Sequence, residues 1–282
     1  MESFKSPVII TGMHRSGTTL LSRILDDQGV FMGYKKEENN ESIFFLKLNQ
    51  WILSLGGCSW DNPCNLNHLY NKQIIIDRMN QIIDSRLNFL YHGYLNILSK
   101  KSFYKMTNHW GWKDPRNTFT VEFWFSLFPD AKIINIYRNP LAVSNSLLIR
   151  QNKLIEKDKE KKIKLKNKIA SLLPIFHSSV LSSTILNDIN DCLLLYKKYQ
   201  DMDIKNSNKY SNQYLSVCYE DLILNSDVVL GRVFKYLNVD VDYFKLEKMK
   251  NKFNPKRINA YKDKEYAYNQ NLLDQINYSL KK

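Results

Sequence analysis

Long apolar runs are the feature that this 282-residue sequence most clearly lacks. No uninterrupted apolar stretch reaches the ~18 residues that a membrane-spanning helix needs, and MESFKSP leads into VIIT without the apolar region of a secretory signal. We therefore expect a cytoplasmic protein. Because neither an internal repeat nor a linker rich in Pro, Gly or Ser divides the chain, the sequence predicts one domain over 1–282, with helical insertions at about 38–108 and 151–200.

Cysteine is scarce, with four residues in the chain. They are Cys58, Cys64, Cys192 and Cys218. Neither these cysteines nor the five histidines are spaced as metal ligands are. We therefore expect buried, reduced thiols and no metal site.

Acidic residues are also few, with 28 Asp and Glu against 41 Lys and Arg, which leaves a net charge of +13. Such a surface favours anionic partners: nucleotides, sulfated or phosphorylated substrates, nucleic acid or a membrane face. The segment 151–170 carries eight lysines and three acids, which predicts an exposed helix or a mobile insertion over the acceptor side. A nucleic-acid-binding run would interleave aromatic residues, and this one has none, so we do not expect nucleic acid as a partner.

Strand and helix patterns alternate along the chain. Strands are predicted at 8–11, 110–113, 131–138 and 214–220. Helices are predicted at 17–28, 41–55, 73–98, from 117 or 118 to about 129, from 140 onward and at 228–237. Gly29 is placed to end the first helix in the left-handed conformation. The alternation indicates an α/β fold with a mostly parallel central sheet flanked by helices.

The stretch VIITGMHRSGTTLLSRIL, residues 8–25, has the layout of a phosphate-binding loop between a strand and a helix. Gly12 and Gly17 let the backbone turn its N–H groups toward an anion, and the helix start adds a partial positive charge. Arg15 supplies a cation, and Ser16, Thr18 and Thr19 supply hydroxyl groups. A plain strand–turn–helix connection is the alternative interpretation.

The loop lacks the lysine of NTP-hydrolysing proteins, because Thr18 occupies that position and the cation lies earlier, at Arg15. This disfavours γ-phosphoryl transfer, in which the lysine reaches the β- and γ-phosphates and the next residue helps to hold Mg²⁺. It suits a ligand with one phosphate and an adjacent group to polarise, without a metal. The alternative is a nucleotide or small-molecule kinase with a degenerate loop.

Four motifs in order resemble the sulfotransferases that use 3′-phosphoadenosine 5′-phosphosulfate (PAPS). HRSGTTLL resembles their 5′-phosphosulfate loop, GWKDPRN a stretch of bacterial and Golgi-type members, and YRNPLAVSNSLL their 3′-phosphate motif. CYEDLILNSDVVLGRVFKYLNV resembles the segment whose tyrosine contacts the adenine. Together the motifs cover most of the chain from residue 8 to about 240.

The resemblance implies a P-loop NTPase-like three-layer fold and sulfuryl transfer from PAPS to a hydroxyl or amine acceptor, with PAP as product and no metal. It assigns the loop residues Arg15, Ser16, Gly17, Thr18 and Thr19 to the 5′-phosphosulfate. It assigns Arg138 and Ser146 to the 3′-phosphate and Tyr219 to the adenine. The acceptor is expected to be a glycan, a lipid, a peptide tyrosine or a small alcohol.

The acceptor must lose a proton, and the family offers two kinds of base. Lys113 matches a lysine that precedes a catalytic histidine by two residues in cytosolic members, but Pro115 stands where that histidine would be. Other members use a glutamate shortly after the first helix. Glu41 is the favoured base and Glu38 the second, although Glu41 could equally be a carboxylate that favours a helix start.

Two further residues are candidates for the catalytic machinery. Asp114 is a third possible base, although an Asp before Pro more often makes a turn bond. His14 lies inside the loop and could donate to the sulfuryl group, although a structural histidine is the alternative.

Overall fold

The computed structural model of the chain describes residues 4–96, 101–163, 183–263 and 266–280. Its sheet consists of β1 (Val8–Thr11), β2 (Gly111–Lys113), β3 (Lys132–Tyr137) and β4 (Tyr214–Cys218). The strands are all parallel, in the order β2-β1-β3-β4. This confirms the predicted parallel sheet. The apolar run of β1 is buried on both faces, as a central parallel strand requires.

Helices occupy most of the remaining described chain. They are α1 (Thr18–Asp27), α2 (Ile43–Leu55), α3 (Asn67–Tyr70), α4 (Gln73–Ile83), α5 (Phe89–His92), α6 (Asn117–Leu127), α7 (Pro140–Ile163), α8 (Ile189–Lys209), α9 (Tyr219–Leu224), α10 (Ser226–Leu237), α11 (Tyr243–Lys250) and α12 (Gln270–Leu280). Short 3₁₀ segments lie at Arg86–Asn88, Tyr94–Asn96, Phe103–Lys105, Ser211–Gln213 and Pro255–Arg257.

The sheet separates two apolar cores. Side chains alternate across a strand, so Ile9 enters the core formed with α2, α4, α6, α7 and α8, while Val8 and Ile10 enter the core formed with α1, α9 and α10. In the first core, Phe45 of α2 stacks on Trp112 of β2 at 3.8 Å between ring centroids. Removing such a buried ring costs about 3–5 kcal/mol. This contact therefore fixes α2 to the strand that pairs with β1.

The long helix predicted over 73–98 is wrong, because the chain leaves the helix after Ile83. The Ser85 hydroxyl accepts from a nearby backbone N–H, and the Asn88 amide donates to the carbonyl oxygens of Ile83 and Lys101. Polar side chains of this kind compete with the helical hydrogen bonds. Gly93, with φ of 103°, then ends α5.

Other boundaries differ by a few residues. The helix predicted from Glu41 begins at Ile43 with Ser42 as its N-cap, and the N-cap of α6 is Arg116 instead of residue 117 or 118. Tyr219, predicted within a strand, is the first residue of α9. The predicted left-handed Gly29 after α1 is confirmed. The lysine-rich segment continues α7 as far as Ile163, and its remainder, 164–170, lies outside the described residues.

The expectation of four reduced thiols is wrong for one pair, because Cys58 and Cys64 form a disulfide. Cys192 is buried as a free thiol, and burial raises its pKa to about 12. Cys218 is half-buried.

None of the helices in the described part of the chain is long and apolar enough to cross a membrane.

Candidate active site

The loop between β1 and α1 turns through residues in the left-handed region. Gly12, Arg15 and Gly17 have φ of 121°, 72° and 107°. A Cβ atom on Gly12 would collide with the Ile136 carbonyl of β3, and one on Gly17 would collide with the Tyr219 ring. Arg15 adopts this conformation with a side chain, which costs about 1–2 kcal/mol. Backbone strain of this kind is typical of loops shaped around a ligand.

The start of α1 is open to an anion. Its N-cap is Gly17, which has no side chain to cap the helix, and the first amides of a helix have no intrahelical partner. Ser16 is buried, and its hydroxyl has no hydrogen-bond partner among the described residues. The Thr19 hydroxyl is already engaged, because it donates to the Asn39 carbonyl at 3.0 Å. Thr18, which lines the cleft, therefore remains with the loop amides as a donor at this position, whereas Ser16 is buried and does not line the cleft.

A cleft of about 1070 Å³ opens above the helix start. Its charged lining residues are Arg15, Arg23, Lys113, Arg138, Arg150, Lys252, Arg257, Asp26, Asp27 and Glu41. Two of the three acids are paired, Asp26 with Lys36 and Glu41 with Lys113. Burial and the nearby guanidinium groups lower the pKa of Arg15. The cleft is therefore strongly positive, which favours an anionic ligand.

Arg138 and Ser146 meet at Arg15, although they come from different elements. Arg15 Nε donates to Ser146 Oγ at 2.9 Å, and Arg138 Nη1 donates to the Arg15 carbonyl at 3.5 Å. Arg138 Nη2 donates to the Arg257 carbonyl at 2.5 Å. The fold thus brings the loop, the end of β3 and the second turn of α7 into one cluster.

Tyr219 lies beneath this cluster. The Arg138 guanidinium lies over its ring, 4.5 Å from the centroid, and Gly17 packs against the ring edge. The ring is 7% exposed. It lines the cleft, but most of its surface supports the loop and the arginine.

Glu41 and Lys113 form a buried ion pair on the cleft wall. Lys113 Nζ donates to Glu41 Oε1 at 2.8 Å, and the two residues are 2% and 5% exposed. Burial lowers the pKa of Lys113, and the Glu41 carboxylate opposes that shift. Among the described residues, Lys113 is the only donor to this carboxylate. The pair can accept a proton and present N–H donors within the cleft.

The other candidate carboxylates lie elsewhere. Glu38 is exposed and does not line the cleft; its carbonyl oxygen accepts from Arg23 at 3.4 Å. Asp114 is fully buried, where it accepts from Asn49 at 2.9 Å and from Arg116 at 3.0 Å. Its contacts fix the turn after β2, as expected of an Asp before Pro.

His14 lines the cleft as a neutral imidazole. Burial and the charges of Arg116, Arg150 and Lys113 hold its pKa well below the usual range. Its Nε2 has no partner among the described residues. The ring packs edge-on against Trp60 at 4.8 Å between centroids.

Several cleft residues lie outside the motifs that the sequence singled out. Arg150 follows Ser146 by four residues and so shares its helix face; this spacing is the one local signal for it. Arg257 and Tyr261 line the cleft from the segment after α11. Trp60, in the loop after α2, does not itself line the cleft, but its ring contacts the cleft residues Arg150 and His14. No local sequence pattern indicates that those segments lie near the loop between β1 and α1.

In the described part of the chain, no group of three or more His, Cys, Asp or Glu residues could hold a metal ion.

Comparison with known proteins identifies a family for most of these elements. Residues 7–161 match the model of the sulfotransferase family, which is more than half of the chain. The match includes β1, the loop, β2, β3 and nearly all of α7, and it ends before β4. The curated proteins contain no match to the chain.

Solved structures that are similar to the whole chain include two sulfotransferase domains. The sulfotransferase domain from the Synechococcus PCC 7002 olefin synthase aligns with a TM-score of 0.57 at 14% identity, covering 100% of this chain and 96% of that one. The sulfotransferase domain from the curacin biosynthetic pathway aligns with a TM-score of 0.56 at 15% identity, covering 99% of each chain. At such identities the likeness shows the fold, and it confirms the predicted α/β class.

Proposed function

Because this chain belongs to the sulfotransferase family, we propose that it moves a sulfuryl group from PAPS to a hydroxyl or amine acceptor. The family supports a transferase; the donor and the residue roles are the proposal. PAPS is a nucleotide with a 3′-phosphate and a 5′-phosphosulfate, so its binding site needs two anion-binding positions in one cleft.

The observation that carries the proposal is the contact between Arg15 and Ser146. The loop and the open start of α1 offer one anion-binding position, for the 5′-phosphosulfate. Arg138, Ser146 and Arg257 offer a second, for the 3′-phosphate. Arg15 lies between the two positions, and its guanidinium could contact either.

Glu41 and Lys113 would serve the transfer itself. The acceptor hydroxyl gives its proton to the Glu41 carboxylate as its oxygen bonds to sulfur, and the bond between sulfur and the bridging oxygen breaks to release PAP. Lys113 orients Glu41 through one N–H and has two more that can stabilise charge on the transferring group. The neutral His14 ring can donate a further hydrogen bond there.

Calorimetric titration with PAP and AMP tests the nucleotide assignment, because the two differ only in the 3′-phosphate. Without metal, we expect PAP to bind more tightly than AMP. Charge-assisted bonds to one phosphate contribute about 1.5–3 kcal/mol, or roughly 10- to 150-fold in Kd. Arg138→Ala should remove most of that difference and leave AMP nearly unchanged.

Arg78→Ala, which alters an exposed arginine on α4, is the matched control and should bind both nucleotides like the natural protein. An equal loss of PAP and AMP affinity in Arg138→Ala would mean that Arg138 only supports the loop through Tyr219 and Arg257. Tighter binding of ATP·Mg²⁺ than of PAP would contradict the sulfotransferase reaction and favour a kinase.

A further inference from the structure

Arg150 is a cation that lines the cleft and has no carboxylate partner in the part of the chain that the structure describes. Two nearby cations have one, since Lys113 pairs with Glu41 and Arg116 with Asp114. Among the described residues, no carboxylate oxygen lies within the 4.0 Å of a salt bridge to Arg150. Its side chain is half-buried. A charge that is withdrawn from water and left unpaired costs free energy, which a bound anion would recover.

The surroundings of Arg150 are aromatic. Its guanidinium carbon lies 5.6 Å from the centroid of the Trp60 ring, and the His14 ring packs on Trp60 from the side. Tyr199 donates to the Trp60 carbonyl at 2.9 Å. The disulfide between Cys58 and Cys64 closes the loop that carries Trp60. An aromatic face beside a guanidinium suits a ligand with an apolar body and an anionic group.

Arg150 lies beyond the residues proposed for the nucleotide. It is one helical turn, about 5.4 Å, further along α7 than Ser146, which already contacts Arg15. It lies near enough to Glu41 and His14 to affect them electrostatically: burial lowers the pKa of Arg150, the Glu41 carboxylate opposes that shift, and Arg150 in turn lowers the pKa of His14. If Glu41 takes the proton, as the proposed function holds, the acceptor hydroxyl lies on this side of the cleft.

We propose that Arg150 and Trp60 form the acceptor subsite, and that the acceptor is a hydroxy compound carrying an oxyanion, either a carboxylate or a phosphate, close to the hydroxyl. Arg150 binds the oxyanion, Trp60 packs on the carbon skeleton, and the hydroxyl faces Glu41. This inference rests on the proposed function, because Glu41 fixes where the hydroxyl lies.

The test uses PAP-saturated enzyme and matched pairs of small alcohols. The pairs are 4-hydroxybenzoate with its methyl ester, 6-hydroxyhexanoate with its methyl ester, and 4-hydroxyphenyl phosphate with 4-methoxyphenol. Calorimetric titration should give a lower Kd for the anionic member of at least one pair, by about 10-fold or more. Arg150→Gln should abolish that preference, and Arg150→Lys, which keeps the charge but not the planar fork, should retain part of it. Trp60→Leu should weaken both members of an aromatic pair.

Lys153→Gln, an exposed cation three residues further on the same helix, is the control and should keep the full preference. The PAP affinity of Arg150→Gln should match that of the natural protein. Equal binding of anionic and neutral members, absence of binding by every anionic probe, or a loss of PAP affinity in Arg150→Gln would each overturn the acceptor subsite while leaving the sulfotransferase reaction intact. Failure of the natural protein to bind PAP would overturn both.

Discussion

At the scale of single residues, Glu41 is held in place from two sides. Lys113 binds its carboxylate, and the preceding loop is fastened to α1 by Thr19, Ser22 and Arg23, which contact residues 38–40. Asn40, with φ of 65°, turns the chain between Glu38 and Glu41. This turn explains why one glutamate reaches the cleft and the other faces solvent.

Glu41→Gln should lower kcat about 10²–10⁴-fold, as the loss of a general base does, and should leave the Kd of PAP nearly unchanged. Glutamine keeps an oxygen for Lys113 but cannot take the acceptor proton. It also leaves the buried ammonium without its counter-charge, so the Tm should fall. Turnover of PAPS is therefore measured below the thermal transition of the variant.

Glu38→Gln is the matched control, because it makes the same change three residues earlier at an exposed position, and it should leave kcat and Tm unchanged. If Glu41→Gln turned over as fast as the natural protein, the base would lie elsewhere, and the neutral His14 would be the next residue to replace.

Residues within the short motifs could be predicted from the sequence, because each motif keeps them close along the chain and resembles a motif of a known family. Gly12, Arg15 and Gly17 occupy one loop, and Arg138 and Ser146 flank one helix start. Glu38 and Glu41 stayed alternatives, since only the turn at Asn40 separates them. Trp60 and Arg257 could not be predicted, because Trp60 meets Arg150 and Arg257 reaches the cleft through contacts between segments distant in sequence.

At the scale of elements, the loop between β1 and α1 rests on a buried polar network. The Gly12 amide donates to Thr118 Oγ1 at 3.3 Å, and Asn206 of α8 donates to the Thr118 carbonyl at 2.8 Å. Asp203, one turn earlier on α8, accepts from the Tyr214 hydroxyl at 3.3 Å. Burial raises the pKa of Asp203 to about 8, against hydrogen bonds from Tyr214 and Thr118 that lower it. Below about pH 8 the Asp203 carboxyl group is therefore protonated. It lies beside Thr118, whose hydroxyl accepts the hydrogen bond from the Gly12 amide.

Asp203 should make the folded state less stable as pH rises from about 4 to 8. Its folded pKa lies above the unfolded value near 3.9, so the folded chain binds more protons across that window and the free energy of unfolding falls with pH. Asp203→Asn stays neutral at every pH. Relative to the natural protein, its free energy of unfolding should rise between pH 5 and pH 8 and then level off. Urea unfolding at pH 5, 7 and 9 measures this.

Asp201→Asn, an exposed aspartate two residues earlier on the same helix, should run parallel to the natural protein at all three values. Parallel curves for Asp203→Asn as well would mean that the Asp203 carboxyl titrates in the same range in the folded and unfolded chains.

Hydrophobic spacing predicted most elements, because a buried strand and an amphipathic helix each leave a regular pattern. It failed over 73–98, where the apolar spacing continues but Ser85, Asn88 and Gly93 end the helix by local polar contacts and backbone conformation. A pattern of apolar residues does not record such competition for backbone hydrogen bonds.

At the scale of the whole molecule, the sheet order assembles the site. Because β1 lies between β2 and β3, the residues after these three parallel strands meet at one edge: the loop at Gly12, the turn at Asp114 and the arginine at 138. Ligands bind at this edge in folds of this kind. The alternation of strands and helices predicted the sheet, but the order of its strands and the closing segment at 249–261 depend on packing between distant parts of the chain.

The net charge of +13 and the cations that line the cleft should act on the nucleotide before it binds. We expect the association rate of PAP to fall as KCl is raised from 0.1 to 1 M, because the Debye length shrinks from ~10 to ~3 Å and steering by the protein field is lost. The dissociation rate should change less, because the contacts proposed with Arg15, Arg138 and the loop amides would act over distances shorter than the Debye length. Stopped-flow measurement of both rates distinguishes an effect of salt on association from one on dissociation.

Adenosine, which carries no phosphate, is the control ligand, and its association rate should be almost independent of salt. A salt effect confined to the dissociation rate would contradict long-range steering and place the electrostatic contribution entirely in the contacts of the bound state.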